Sequence, residues 1–584
     1  MKALLRTRNI FFAVVLLGIF GMAARNVTDP DIWWHLKTGQ FIAEHRSVPH
    51  TDPFSYTRTG QPWVAHEWLS EVFLYELQRA AGATGLILIF AAIVCVTFFL
   101  LYLRCGSVPY VAGIATLAAA WATAPLWGVR PQILSLLLTS LWLLILERSE
   151  RDPKVLWWTL PVTLLWVNLH AGFAVGLTLS ALFLAAGLIE RALGSVRRQS
   201  AGRLRMQSLI LLLDLLIVPV NPNGLRMFVY PIETLRSAAM QKYIVEWASP
   251  NFHRPEYWLF LLLVLVTFAA ICWSRVPLRP RDLLLLLVSL YAGLSSIRLM
   301  PLFVLIAIPL ICQRLGNWPR SDSQALPHPP MRAFRASLNA VILLAMAGFV
   351  GVHTAQVVRH EPQAEMQSFP AGAVSYLQAH PADGPIFNDY GWGGYLIWKL
   401  YPSTRAFIDG RADLYATSGA SEQDDPPLLD QFAKTYQFKG SWRQALDRWN
   451  IKTVLVPTDS ALAVGLRSAP DWTVIYEDSQ AIILVSTASS ARMTTVGLIP
   501  VPGGEFSRKV APWLPETCNK LHFRPFRRVL WWESWSGQIA RGLCKRDTDA
   551  RTTSIAPVNN PVEARLMFPL GGFENYGAFE KILA

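Results

Sequence analysis

Apolar and polar positions along the chain fall into long blocks, unlike the short periods of a soluble fold. After a basic start at Lys2, Arg6 and Arg8, an apolar run extends to Ala24. Further apolar stretches occupy about 83–103, 108–126, 131–146, 155–167, 172–189, 206–220, 257–273, 283–297, 301–311 and 338–352. A helix rises ~1.5 Å per residue, so ~20 apolar residues cross the ~30 Å hydrocarbon core of a bilayer. The blocks predict a mostly α, polytopic helical membrane protein with about eleven spans. The shorter spans are expected to be broken or shielded by neighbours beside a cavity. The first run reads as a retained span or as a cleaved signal peptide, and both place the next segment outside the cytoplasm.

The polar intervals carry their own pattern. Residues 25–82 and 221–256 form two long outer loops. In the first, Asp29 suits a helix N-cap and Pro30 the first turn, which puts Asp31 and His35 four apart on one face. Trp33, Trp34, Leu36 and Phe41 give that helix apolar surface, predicting that it lies along the membrane. A second amphipathic helix is expected from His66-Glu67-Trp68, with Leu69, Val72, Phe73 and Leu77 on one face. Past residue 357 the pattern becomes mixed, with short strands at 453–456 and 481–485 and a helical stretch at 442–449. The expected division is a transmembrane domain at 1–357, an extracytoplasmic α/β domain at 358–488, and a poorly ordered tail at 489–584.

Composition agrees: 52% of the 584 residues are hydrophobic and 16% charged, too little polar surface for a soluble chain. Pairs such as Trp33-Trp34, Trp157-Trp158 and Trp531-Trp532 read as headgroup-level anchors. The net charge of +13 does not point to nucleic acid, because no basic stripe alternates with aromatics on a polar segment. Instead Arg104, Arg148, Arg151, Arg203, Arg279, Arg281 and Arg314 fall in alternate short connections, which the positive-inside rule makes cytoplasmic. The tight outer turns carry only Arg130 and Arg298. Six cysteines without CxxC spacing give neither a disulfide framework nor a zinc signature.

Candidate chemistry gathers on the outer side. Asp29, Asp31 and His35 can serve as helix caps, or can face a cavity, bind a divalent cation and remove a proton. Arg130, Asn168, His170, Asn221, Asn223, Arg226 and Arg298 share the outer ends of the spans, where ionisable groups are costly and mark substrate paths. Arginines there suit a phosphate. In the outer domain Asp409, Arg411 and Asp413 alternate and read as local salt bridges, or Asp409 and Arg411 join Trp392 and Trp398 as a sugar-recognising surface.

An Asp-bearing motif after the first span, an amphipathic outer loop, many spans and an outer C-terminal domain together resemble the GT-C membrane glycosyltransferases. Asp29-Pro30 followed by aromatics is similar to the Asp-Pro-aromatic signature of oligosaccharyltransferase catalytic subunits. Protein O-mannosyltransferases and lipid A aminoarabinose transferases carry an acidic pair there. Asn221-Pro222-Asn223-Gly224 and residues 390–415 resemble an uncharacterised bacterial branch. A Trp-Trp-Asp-Tyr-Gly motif is missing, so sequon-directed protein glycosylation is not implied; Gly391-Trp392-Gly393-Gly394-Tyr395 is a loose echo. The resemblance implies transfer of a sugar from a polyprenyl-phosphate donor to a hydroxyl of a glycan, lipid or protein acceptor, outside a bacterial inner membrane with the N-terminus cytoplasmic. Arg130, Arg226, Arg298 and His170 would hold the phosphate and Asp29 or Asp31 would be the base. Alternatively Asp29, Asp31, His35, His66 and Glu67 would hold Mg or Mn, while Trp392, Trp398, Asp409 and Arg411 would contact the acceptor. Competing readings are a transporter or flippase of a lipid-linked glycan, disfavoured because no internal repeat is evident, and a non-enzymatic membrane protein.

Overall fold

The computed structural model describes residues 7–106, 109–194, 199–315, 329–416, 427–440 and 442–487. The chain divides into two units, Met1–Ala491 with Phe568–Ala584, and Arg492–Met567; every described residue belongs to the first. The expected tail at 489–584, with Trp531 and Trp532, lies outside the described residues.

In chain order the helices begin with α1 (Thr7–Ala23), α2 (Ile32–His45), α3 (Trp68–Cys105), α4 (Pro109–Thr123), α5 (Pro131–Arg148), α6 (Thr159–Leu169) and α7 (Phe173–Ala192). They continue with α8 (Ala201–Ile217), α9 (Arg226–Arg236), α10 (Ala238–Tyr243), α11 (Trp258–Trp273), α12 (Pro280–Ser295), α13 (Met300–Leu315) and α14 (Pro329–Ser368). Among the described residues, seven helices, built on α3, α4, α5, α7, α11, α13 and α14, are long and apolar enough to cross a membrane. The protein is a polytopic helical membrane protein. Helix α1 is apolar with 17 residues, while α6, α8 and α12 occupy the remaining apolar blocks with 11, 17 and 16. A 3-10 stretch, Pro153–Trp158, leads directly into α6 and lengthens it.

Helix α3 is two helices joined at an elbow. Gly82 sits at φ 60°, ψ −162°, a conformation glycine adopts without a Cβ clash. The 14 residues before it belong to the first loop and those after it form the span. At the bundle end away from that loop, Arg104 pairs with Glu147 at 2.8 Å, Arg279 with Glu150 at 2.9 Å, and Arg281 with Glu150 and Asp282. Alternate basic connections therefore meet at one end. Helix α14 runs unbroken past residue 357, and its Glu361 accepts from Asn26 Nδ2 and the Val27 N–H.

The C-terminal part adds α15 (Ala371–Ala379), α16 (Gly393–Leu400), α17 (Ala412–Tyr415), α18 (Leu428–Tyr436), α19 (Trp442–Arg448) and α20 (Ala461–Arg467) around one sheet. Its strands, β1 (Ile386–Asn388), β2 (Thr453–Pro457), β3 (Trp472–Glu477) and β4 (Ala481–Ser486), are ordered β1-β2-β4-β3. β1 and β2 are parallel with Phe387 opposite Val454, whereas β4 is antiparallel to β2 and β3. β2 and β4 are buried on both faces and read as unbroken apolar runs.

Two of the expected anchors are buried. Trp33 and Trp34 are each 7% exposed, and α2 is wedged between α3 and α16 instead of lying open on the membrane. Trp34, Phe54 and Trp63 of the first loop share one core with Phe387, Phe407 and Tyr415 of the outer domain. A helix that must bury two faces cannot offer one to lipid. Trp157 and Trp158, by contrast, are exposed.

Candidate functional site

A cavity of about 590 Å³ lies where the first loop, the ends of α5, α6, α7, α12 and α13, the 221–256 loop and the outer domain meet. Its upper wall is polar. Its lower wall consists of Leu179 and Leu182 of α7, Leu285 and Val288 of α12, and Leu302 and Ile306 of α13. On α7 the lining runs from Ala174 to Leu182, with Gly172 just before the helix, so the apolar slot descends roughly 10–15 Å along that helix.

One end of the polar wall is organised by Arg130, the residue before α5, whose 15% exposed side chain bridges three carboxylates. Its Nε donates to Asp29 Oδ2, its Nη1 to Glu246 Oε1 at 2.5 Å, and its Nη2 lies 3.4 Å from Asp31 Oδ2. Asp29 does not cap α2 directly; its Oδ1 accepts the Asp31 N–H at 3.0 Å, and Asp31 is the N-cap residue. Asp31 is held more loosely, with Trp34 Nε1 donating to Oδ1 at 3.3 Å. Burial, reinforced by Asp29 and Glu246, outweighs Arg130 and pushes the Asp31 carboxyl up to about 7. Arg130 itself stays charged, since the three carboxylates outweigh the cost of its burial. Arg298 approaches Glu246 Oε2 at 3.5 Å and covers the Trp247 ring at 5.4 Å.

The other end centres on Glu67. His66 Nε2 lies 3.1 Å and His170 Nε2 3.2 Å from Glu67 Oε1, and His35 Nδ1 is 3.5 Å from Oε2. Burial disfavours the Glu67 charge, but His66 and the other imidazoles hold the carboxyl well below its usual range. Burial pushes His35 and His170 down to about 3, so both are neutral at pH 7. The Gly172 N–H donates to His170 Nδ1 at 2.8 Å, which places the ring proton on Nε2, facing Glu67. Ser135 Oγ also meets Nδ1 at 2.8 Å and accepts from Trp166 Nε1, fixing the ring. The Tyr230 ring lies tilted against His66, centroids 4.4 Å apart, and its hydroxyl donates to Asp413 Oδ2 at 3.2 Å.

The residues expected to hold a metal divide between these ends. Asp29 and Asp31 turn to Arg130, and His66 is engaged by Glu67, so the five do not converge. The donor atoms that do converge, within 4.8 Å of one another, belong to His35, Glu67 and Glu71. Glu71 Oε2 is buried without a hydrogen-bond partner, an orphaned lone pair of the kind a cation satisfies. One imidazole with two carboxylates suits Mn or Zn better than the all-oxygen shell that Mg prefers.

Several other expected residues lie off the cavity. Arg226 pairs with Glu233 at 2.8 Å on an exposed stretch. Asp409 is fully buried and, with Asp52, clamps Arg411, whose Nη1 reaches Asp52 Oδ1 at 2.6 Å and Nη2 reaches Asp409 Oδ2 at 2.7 Å. Arg411 lines the cavity while its donors turn away from it. Trp392 packs against the membrane core, and Trp398 lies beside Lys37 at 6.0 Å. Asn168 and Asn221 tie loops together, accepting from Trp68 Nε1 and donating to the Val167 carbonyl respectively. Gly410 touches the site by its absent side chain, since a Cβ there would overlap Asp31 Oδ1.

Glu246, Glu71, Tyr230 and Tyr390 were not singled out from the sequence, yet all but Glu71 line the cavity, as does Asp413. Glu71 had a signal, four residues after Glu67 on one helix face. Glu246 had a weaker one, an acid beside Trp247 in an outer loop facing two arginine-bearing turns.

No family model and no curated protein matches the chain. Among solved structures it is similar to the archaeal oligosaccharyltransferase AglB from Archaeoglobus fulgidus, in complex with an inhibitory peptide and a dolichol-phosphate. The identity is 11% and the TM-score 0.47, over 76% of this chain and 69% of that one. It is also similar to ArnT from Cupriavidus metallidurans bound to undecaprenyl phosphate, with 14% identity and a TM-score of 0.45 over 82% and 98% of the two chains. A third is arabinofuranosyltransferase AftD from Mycobacteria, with 14% identity and a TM-score of 0.43 over 82% and 41%.

Proposed function

We propose that the protein transfers a sugar from a polyprenyl-phosphate donor to an acceptor hydroxyl at the outer face of a bacterial inner membrane, with its N-terminus cytoplasmic. The observation that carries this reading is the continuity of the cavity. A polar wall of carboxylates and arginines passes into an apolar slot between α7, α12 and α13, a shape matched to an anionic head on a hydrocarbon chain. The basic connections gathered at the opposite end of the bundle support this orientation.

In this reading the prenyl chain occupies the slot and the phosphate faces Arg298. Arg130 is less suited to the phosphate, because three carboxylates already surround it. Asp31 is the base: loosely held, beside the cavity, and with a carboxyl near neutrality that matches proton transfer at pH 7. The acceptor oxygen bonds to the anomeric carbon and its proton passes to Asp31. The bond from that carbon to the phosphate oxygen breaks, and its electron pair leaves with the phosphate. Asp29 is a positioning residue, holding Arg130 and the turn that presents Asp31. The outer-domain roof, including Tyr390 and Asp413, faces the acceptor. A cation at His35, Glu67 and Glu71 would supply electrostatic stabilisation and would be held by those three side chains.

The test supplies membranes with labelled polyprenyl-phosphate sugars and measures transfer. Wild type is expected to form product, and Asp31→Asn to lose about 10²–10⁴-fold in rate at equal expression. Undiminished transfer by Asp31→Asn removes its role as base. Movement of the intact lipid across vesicles without bond cleavage would make the protein a flippase.

A further inference from the structure

The 221–256 loop holds a helix with three unlike faces. At ~100° per residue, Leu225, Phe228, Val229, Ile232 and Leu235 fall within an arc of roughly 120° on α9 and the residue before it. All five are exposed, Leu225 by 72% and Ile232 by 49%. Met227 and Tyr230, on the opposite side, are buried, and Tyr230, Pro231 and Thr234 line the cavity. On one flank between these faces Arg226 pairs with Glu233 at 2.8 Å, both side chains about half exposed. Large apolar side chains gathered on one side of a short helix mark a membrane or protein contact. The surroundings of α9 decide which. The preceding span, α8, exposes Leu209, Leu212, Leu215 and Leu216, and the apolar surface continues through Val220, 56% exposed, to Leu225. At the other end of the loop Trp258, 56% exposed, opens α11 at the headgroup level. Arg236, exposed in the last turn of α9, suits lipid phosphates.

From this continuity we infer that α9 lies in the plane of the membrane, seated in the leaflet on the cavity side. Phe228, Val229 and Ile232 stand among acyl chains, the Arg226–Glu233 pair faces water, and Tyr230 turns inward. The inference does not need the sugar-transfer reading; it needs only the helical bundle in its bilayer. The surface position that the sequence suggests for α2 belongs to α9 instead. Helix α2 is covered by α3 and α16, whereas α9 keeps one apolar face uncovered. A single helix thereby ties the membrane surface to the site, since its Tyr230 lies against His66 and donates to Asp413.

Photocrosslinking reads the occupant of that face directly. p-Benzoylphenylalanine replaces Ile232, Glu233 or, as a lipid-facing control on α8, Leu216. The purified full-length protein is irradiated in liposomes of phosphatidylethanolamine and phosphatidylglycerol, and adducts are identified by mass spectrometry. A lipid adduct is expected at position 232 in a yield close to that at 216, and its loss at 233. With the probe at Phe228, Ile232→Asp is expected to reduce the adduct several-fold, because a charge resists burial among acyl chains, while Ile232→Leu keeps it. Thermal unfolding confirms that each variant is folded. A cross-link between two copies of the chain at 232 makes this face a protein interface and overturns the inference. Folded protein without a lipid adduct at 232 overturns it as well. Equal adducts at 232 and 233 do the same, since a helix lying along the membrane keeps one flank in water.

Discussion

The two ends of the cavity both crowd carboxylates into a buried space, but neutralise them by different means. At one end Arg130, a permanent cation, is shared among Asp29, Asp31 and Glu246. At the other, Glu67 is surrounded by the imidazoles of His35 and His170, neutral at pH 7, and of His66, whose charged form Glu67 favours against burial. The first arrangement fixes geometry and leaves one loosely held carboxylate ready for proton transfer. The second can exchange protons for a metal ion. The difference suits a division of labour between chemistry and electrostatic support.

Removing the permanent cation tests the first end most severely. Arg130→Met leaves three buried carboxylates without their counter-ion, and a loss of about 3–5 kcal/mol in stability is expected, read as a lowered unfolding midpoint in detergent. An unchanged midpoint would mean that water reaches those groups. At the second end, Glu71→Gln should weaken Mn or Zn binding by about 10–100-fold, measured by titration calorimetry, while leaving the Arg130 cluster intact. Equal affinity in the variant would place any metal elsewhere. The smallest effect separates the ends by pH. With Asp31 near 7, the base is deprotonated above that value and protonated below it, so transfer should fall about tenfold per unit as pH drops below 7 and level off above it. A limb in the ordinary carboxylate range would assign the proton to another group.

The membrane helices were legible because hydropathy over a whole span is a sum of many residues, and each apolar block corresponds to a helix. The first-loop elements were legible too: Asp31 precedes a helix, and Gly82 parts the loop helix from the span. What the sequence could not show is which charges meet. Arg130, His170 and Arg298 come together with Asp29, Asp31 and Glu67, whereas Arg226, with the same placement at a span end, turns to Glu233. Nor could spacing reveal that Arg411, already held by Asp409, also bonds to Asp52, since that contact joins positions more than three hundred residues apart. The aromatic face of α2 was visible, but its partner, another protein layer and not lipid, was not.

The core shared by Trp34, Phe54 and Trp63 with the C-terminal sheet means that the extramembrane portion is not a detachable module. A fragment cut near residue 358 would leave behind three of its own aromatic fillings, and a truncated membrane half would expose them. Grafting a new specificity onto this scaffold would therefore require exchanging both stretches of chain together, as one unit written in two places.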